Sequence, residues 1–159
     1  MKYLKWLLLL PVAAFPYLFF VFYWLTHRES FTQAELGWLV GLAAALAVLL
    51  TRGRWTHREL ALANMLIKLI YIPAYVSWFV LGLAMLLFAG PILAFFMDAM
   101  AIALSGLVGL AAVLRCRTEG RLTRKAAILN GILQFVFCAD VCSAVWVFYK
   151  SGKREEFLP

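Results

Sequence analysis

Five apolar segments separated by short polar loops constrain this chain more than any other feature of its sequence. Hydrophobic residues make up 65% of its 159 residues, whereas a soluble globular domain is typically about 45–50% apolar. A chain this short cannot hide that surplus in a water-soluble core, because small domains leave much of their surface exposed. We therefore predict an all-α integral membrane helix bundle that forms a single domain over residues 1–159. The segments run from about Leu4 to Leu25, Leu36 to Leu50, Thr56 to Ala89, Pro91 to Val113 and Ala126 to Tyr149.

The second segment decides how many helices are expected to cross the bilayer. Its uncharged stretch, Leu36–Leu50, is short against the ~20 residues that a transmembrane helix needs. Thr32 and Glu35 form a capping-box pattern at its start, and a helix from Gln33 to Thr51 would be just long enough. The sequence therefore predicts five transmembrane helices. The alternative is four, with Leu36–Leu50 as a short interfacial or re-entrant helix.

The third and fourth segments are expected to form a helical hairpin. Thr56 and Glu59 give a second capping-box pattern, at the start of the third segment. Gly90-Pro91 is a helix-breaking pair between the two segments. We expect a tight turn at this pair, on the outer side of the membrane.

Lysine and arginine in the short loops set the expected orientation, because cytoplasmic loops carry an excess of both. With five helices and a cytoplasmic N-terminus, ten basic residues lie inside and four outside. With four helices and an outer N-terminus, nine basic residues lie inside and five outside. Both arrangements place Arg115–Lys125 in the cytoplasm and the C-terminus outside. The five-helix arrangement has Lys2, Lys5, Arg52, Arg54, Arg58, Arg115, Arg117, Arg121, Arg124 and Lys125 inside, and Arg28, Lys150, Lys153 and Arg154 outside.

Asp98 and Asp140 lie inside the last two apolar segments, where a carboxylate is costly and is usually functional. At ~1.5 Å per residue, Asp98 is about 26 Å above Arg115 and Asp140 about 22 Å above Lys125. The two carboxylates are thus expected at a similar depth on consecutive antiparallel helices. If they touch, they cannot both stay ionised, which would suit a proton or cation site. The alternative is that each is neutral, or bonded to a polar side chain of a neighbour.

Polar residues share one face of the third segment. Lys68 is expected about 32 Å below the Gly90-Pro91 turn, near the inner boundary of the ~30 Å hydrocarbon core, where its side chain can reach water. Asp98 is only about 12 Å below that turn, so an ion pair between the two is not expected. Helical spacing places Asn64, Tyr71 and Tyr75 on the same face as Lys68. This face is expected to line a polar groove that opens to the cytoplasm, or to form an interfacial belt.

Small and amide side chains predict close helix packing. Ala101, Ser105 and Gly109 recur every four residues, the small-residue pattern of helix contacts in membranes. Because Asp98 falls on the same stripe, we expect the stripe to face protein rather than lipid. Asn130 and Gln134 share a face of the fifth segment, where such amides commonly form interhelical hydrogen bonds.

Motifs for catalysis, metal binding and nucleotide binding are absent from the sequence. It has no HExxH, P-loop, GxSxG or glycine-rich dinucleotide fingerprint, and His27 and His57 are expected on loops at opposite sides. Cys138 and Cys142 share a helix face, but thiol redox sites usually have two intervening residues and a helix N-terminus. We expect no enzyme activity, no cofactor and no metal, with a thiol redox enzyme as the weakest alternative.

The net charge of +7 does not indicate nucleic-acid binding, because the basic residues cluster in short loops and no basic face is interleaved with aromatic residues. The partners that we expect are the lipid bilayer and a membrane protein or a second copy of this chain.

The segment Asn64–Tyr75, NMLIKLIYIPAY, followed by an apolar run and Asp98, resembles a group of small bacterial multi-pass membrane proteins of unknown function. The resemblance covers the third and fourth segments. It implies a multi-pass protein in a bacterial plasma (inner) membrane, and it implies no activity.

The leading functional interpretation is a non-enzymatic accessory or interaction component of a membrane. It depends on the missing catalytic motifs, the small-residue stripe and the near absence of soluble loops. The alternative is a small carrier or channel that moves a proton or small solute past Asp98 and Asp140. A cavity that reaches Asp98 would favour transport, whereas a sealed bundle with a large exposed apolar groove would favour interaction.

Overall fold

The computed structural model describes residues 4–26, 31–87 and 90–152, and these form helices and connecting turns without a β-strand. The predicted all-α fold class is therefore confirmed. A 3-10 turn, Arg52–Arg54, lies between the third and fourth helices. The α-helices are α1 (Leu4–Leu7), α2 (Leu10–Thr26), α3 (Phe31–Leu50), α4 (His57–Ala84), α5 (Gly90–Thr118), α6 (Arg124–Leu133) and α7 (Ala139–Ser151).

Among the described residues, two helices, α4 and α5, are long and apolar enough to cross a membrane, where the sequence predicts five. They have 28 and 29 residues, with mean hydropathies of 1.8 and 2.0 over their best stretches. The first segments form shorter apolar helical stretches, Lys5–Leu18 and Glu35–Leu50. Pro11 explains the interruption after α1, because a proline clashes with the carbonyl four residues earlier, here that of Leu7.

The sequence predicts one continuous helix over Ala126–Tyr149, but the structure has two. The segment is divided into α6 and α7 by residues 134–138, which we call the break. At its end Cys138 has φ 64° and ψ −40°, and Ala139 N–H donates to the Phe137 carbonyl at 2.8 Å. This is a γ-turn with a positive φ at its centre, a rare and strained conformation.

The hairpin of α4 and α5 forms as the sequence predicts. Thr56 Oγ1 accepts from the Glu59 N–H at 3.2 Å, and the Glu59 carboxylate accepts from the Thr56 N–H at 3.0 Å, so this capping box is confirmed. Gly82 allows the two helices to approach closely, because a Cβ there would lie 3.1 Å from the Cβ of Ala94. The Thr32–Glu35 capping box lies outside the described side chains.

Helix α5 occupies the middle of the bundle and packs against α2, α3, α4, α6 and α7. Its most extensive contact is with α4, and α4 in turn contacts α7. The main apolar core lies between α2, α3, α4 and α5 and includes Val12, Val48, Leu60, Leu104 and Val108.

One end of the bundle collects basic and acidic side chains. Lys5 donates to the Arg54 carbonyl at 3.1 Å and lies 3.6 Å from the Glu59 carboxylate. Arg115 donates through Nε to the Trp55 carbonyl at 2.9 Å and pairs with Glu119 at 2.6 Å. The start of the N-terminal helix, the turn before α4 and the end of α5 therefore lie at the same end of the bundle.

The outward faces of α4 and α5 are apolar. Of the best apolar stretch of each helix, 39% is buried in α4 and 44% in α5, and the rest is half-buried or exposed. The exposed large side chains on these faces include Ile72, Val76, Phe79, Val80, Leu83, Ile92, Phe95 and Phe96.

Candidate functional site

A buried ion pair joins the middle of α4 to the start of α7. Lys68 Nζ lies 2.8 Å from Asp140 Oδ2, and the exposed fractions of the two side chains are 0% and 1%. The prediction that Lys68 reaches water at the membrane boundary is therefore wrong. The lysine points into the bundle because the broken helix brings a carboxylate to it.

Each ammonium proton of Lys68 has an acceptor. Besides Asp140, Lys68 Nζ donates to the Ser105 hydroxyl at 3.3 Å and to the Gln134 backbone carbonyl at 3.2 Å. The Gln134 carbonyl is the first in the break, where a continuous helix would have turned it toward a later N–H. The lysine thus occupies the place of a lost helical hydrogen-bond donor.

Asp140 lies in the first turn of α7, where the partial positive charge of a helix N-terminus favours an anion. Its Oδ1 accepts from the Val141 N–H at 2.8 Å, while Oδ2 faces Lys68. The C-terminal carbonyl side of α6 thus faces the cation, and the N-terminus of α7 holds the anion.

Amide side chains connect the break to its neighbours. Asn64 donates to Gln134 Oε1 at 3.2 Å, and Gln134 Nε2 donates to the Ser143 hydroxyl at 3.0 Å. The Ser143 hydroxyl donates to Asn130 Oδ1 at 2.8 Å. The predicted amides Asn130 and Gln134 thus belong to one buried chain of hydrogen bonds. Cys138, four residues after Gln134, is exposed and lies outside this chain.

The small-residue stripe of α5 makes room for the break. Ala101, Ser105 and Gly109 are all buried, and Ser105 contacts Lys68 directly. A Cβ at Gly109 would lie 2.2 Å from Gln134 Oε1, and one at Gly106 would lie 2.5 Å from the Phe135 ring. The stripe therefore lies in the interior of this single chain, against the irregular segment.

The polar face of α4 turns inward along its length. Asn64, Lys68 and Tyr71 are fully buried and Tyr75 is 9% exposed, so this face forms neither an interfacial belt nor an open groove. The Tyr71 hydroxyl donates to the Val12 carbonyl, which Pro16 leaves without its usual helical donor. The Tyr75 hydroxyl is buried with no hydrogen-bond partner among the described residues. It lies within electrostatic range of both Asp140 and Asp98.

Asp98 stands apart from the ion pair. It is half-buried, and its Oδ1 atom is enclosed with no hydrogen-bond partner in the described part of the chain. The described contacts therefore do not join Asp98 to Asp140, whose two oxygens face Lys68 and Val141. The expected carboxylate pair is replaced by one paired and one unpaired carboxylate.

A cavity of about 690 Å³ reaches Asp98 from the side of the bundle. It lies between α4, α5 and the break, and Asp98 is the charged residue among its described lining residues. Within the described ranges, no three His, Cys, Asp or Glu side chains are grouped closely enough to hold a metal ion. The arrangement is suited to binding a cation or exchanging a proton.

Comparisons with protein-family models, with curated proteins and with solved structures found no match to this chain. The resemblance of Asn64–Tyr75 to small bacterial membrane proteins stays a prediction.

Proposed function

We propose that this chain is a five-pass protein of a bacterial inner membrane that carries a proton or a small solute past the break. In this proposal the fifth pass is the discontinuous pair α6 and α7. The partner that it requires is the lipid bilayer, and no catalytic step, cofactor or nucleic acid is assigned to it.

Insertion in lipid is supported by the distribution of polar and apolar side chains. Large apolar side chains cover the outward faces of α4 and α5, while Asn64, Lys68, Gln134 and Asp140 are buried. Soluble monomers rarely expose apolar patches of more than a few hundred Å². A hydrocarbon solvent would favour this inside-out pattern.

Five passes are supported by the position of Lys5. The four-pass alternative requires Lys5 on the opposite side from Arg115–Lys125. Lys5 instead contacts Arg54 and Glu59, at the end of the bundle where Arg115 and Glu119 pair. An excess of basic residues at this end favours a cytoplasmic location.

The observation that carries the transport proposal is the Lys68–Asp140 pair at the break. Burying two charges costs several kcal/mol per ion, which mutual attraction repays only in part. In membranes, ionisable groups of this kind mark substrate and ion pathways. Carriers also place their sites at discontinuous helices, with half-helix N-termini and unwound carbonyls turned toward charges. Lys68, Asp140 and the Gln134 carbonyl have this arrangement.

The residues have distinct roles in the proposal. Asp98 meets the solute at the cavity, and the Lys68–Asp140 pair holds the break closed. A proton that reaches Asp140 cancels the ion pair and leaves a buried ammonium without its anion. Because an unpaired buried charge is strongly unfavourable, the break then has to open. The buried Tyr75 hydroxyl lies within electrostatic range of both carboxylates.

Proton flux in proteoliposomes tests this proposal. The purified protein is reconstituted with a pH-sensitive dye in the lumen, and a pH gradient is applied. We expect flux above that of protein-free liposomes, and its loss in Asp98→Asn and in the double variant Lys68→Met/Asp140→Leu. Glu119→Gln removes a carboxylate at the far end of α5 and should keep the flux. Equal flux in protein-free and wild-type liposomes would refute proton transport.

The accessory function is the second candidate, and the exposed apolar faces of α4 and α5 favour it. The small-residue stripe no longer supports it, because Gln134 packs against Gly109 and Lys68 contacts Ser105. A partner would therefore have to use outer residues such as Val76 and Val80. Chemical cross-linking from a cysteine at Val80, in an otherwise cysteine-free chain, would capture such a partner in native membranes but not after dilution in detergent.

A further inference from the structure

The cavity beside Asp98 has the size of a small-molecule site. Its volume is about 690 Å³, and sites for small ligands typically span about 300–1,000 Å³. Its walls come from three elements: Phe79 and Leu83 of α4, Phe95 and Asp98 of α5, and Phe135 and Phe137 of the break. Such a convergence of separate elements distinguishes it from the groove between two adjacent helices.

The walls select the charge of a ligand. Four phenylalanine side chains line the cavity, and cations are attracted to the faces of aromatic rings within about 6 Å of the ring centre. Asp98 adds a carboxylate whose enclosed Oδ1 lacks a partner among the described residues. The neighbouring cation, Lys68, is already engaged by Asp140, Ser105 and Gln134, so it does not compensate Asp98.

The cavity is open on its apolar side. Phe79, Leu83 and Phe95 line it and are 64%, 56% and 70% exposed. These side chains are continuous with the apolar outward faces of α4 and α5. A ligand that enters from this side therefore needs an apolar body, and one that satisfies Asp98 needs a positive charge.

We propose that this cavity binds an organic cation with a large apolar body, such as a hydrophobic ammonium or phosphonium ion, which enters sideways from the lipid. Asp98 contacts the charge, and the phenylalanine rings contact the body. The inference rests on the proposed carrier function and names its solute class.

Two ions of the same shape and opposite charge separate the contribution of charge to binding from that of shape. Tetraphenylphosphonium and tetraphenylborate are dialysed to equilibrium against the full-length protein in an uncharged maltoside detergent, with protein-free micelles subtracted. We expect saturable binding of about one phosphonium ion per chain and much weaker binding of the borate. The affinity should fall about tenfold or more in Asp98→Asn, as expected for a lost charge-assisted contact.

Matched variants separate charge from shape. Asp98→Glu keeps the charge and should retain most of the affinity. Ala99→Trp fills the cavity while Asp98 stays, and should abolish binding. Glu119→Gln removes a carboxylate about 30 Å further along the helix axis and should bind like the wild type. Thermal melting checks that each variant is folded.

The outcomes distinguish the two proposals. Phosphonium binding without proton or phosphonium flux in liposomes would overturn the carrier function and leave the ligand assignment standing. Proton flux without phosphonium binding would overturn the ligand assignment alone. Equal binding of both ions, or unchanged phosphonium binding in Asp98→Asn, would show that the cavity is an apolar surface that does not select for charge. Either result would overturn the inference. Dimers that Ala99→Trp dissociates, with neither ion bound, would assign the cavity to a second copy and also overturn it.

Discussion

The side chain of Gln134 packs against the backbone of Gly109 so closely that a Cβ at position 109 would lie 2.2 Å from Oε1 and 2.8 Å from Cγ of the glutamine. Gln134 cannot move aside cheaply, because Asn64 and Ser143 hold both ends of its amide. Gly109 of α5 and Gln134 of the break are therefore fitted closely to each other.

Gly109→Ala should lower the free energy of unfolding by about 1–3 kcal/mol, the usual effect of overpacking, and Gly109→Leu should prevent folding. Gly131 in α6 is the matched control, because a Cβ there would meet Leu110 at an ordinary 3.6 Å. Gly131→Ala should be stabilising by up to about 1 kcal/mol through helix propensity. Thermal melts in detergent measure both. A folded Gly109→Leu chain that had only lost a partner would show that the stripe is external.

Asp140→Asn should be strongly destabilising, by about 3–5 kcal/mol, because it leaves a buried ammonium without its anion. The double variant Lys68→Met/Asp140→Leu replaces both charges with apolar groups and should lie within about 1–2 kcal/mol of the wild type. A double-mutant cycle of melting data on Lys68→Met, Asp140→Leu and the double variant measures the coupling energy. Additive effects of the two single substitutions would contradict the ion pair.

Cys138→Gly should be stabilising by about 1 kcal/mol, because glycine adopts a positive φ without the steric cost that other residues bear. Cys142, four residues later within α7, is the matched control. There the same substitution should be destabilising by about 1 kcal/mol, the cost of glycine in a helix interior. A lower melting temperature for Cys138→Gly than for the wild type would argue against the γ-turn.

Cysteine labelling tests the orientation. Cys116 is fully buried, so this native thiol is a poor reporter for a membrane-impermeant maleimide. In a cysteine-free chain, Thr118→Cys and Gly152→Cys instead place thiols at exposed sites at the ends of α5 and α7. Intact cells should label at position 152 and not at 118, and lysed cells at both. Labelling at 118 from outside intact cells would invert the proposed topology.

Local signals in the sequence predict the α4–α5 hairpin well. The Thr56–Glu59 capping box and the Gly90-Pro91 pair carry their own hydrogen-bonding and steric requirements, which act within a few residues. The break carries no such signal, because residues 134–138 contain neither glycine nor proline. It is stabilised by distant groups: the Lys68 ammonium on one carbonyl and the space at Gly106 and Gly109.

The same break explains why the sequence does not predict the buried ion pair of Lys68 and Asp140. Depths calculated along continuous helices put Asp140 level with Asp98 and put Lys68 at the membrane boundary. That calculation assumes a constant rise through Ala126–Tyr149, an assumption that the γ-turn at Cys138 violates. Three charged residues inside the apolar segments, Lys68, Asp98 and Asp140, are visible in the sequence, but which two meet depends on the path of the irregular backbone.

The Lys68–Asp140 contact joins residues 72 positions apart, and this separation has a consequence for biogenesis. During synthesis α4 leaves the ribosome before α7. Lys68 is therefore unpaired until the segment that contains Asp140 has been synthesised. The last segment, with a carboxylate at its midpoint, would in turn be a poor candidate for independent membrane insertion. In the proposed membrane location each charge would be tolerated only when paired with the other, so we expect α6 and α7 to insert against α4 rather than alone.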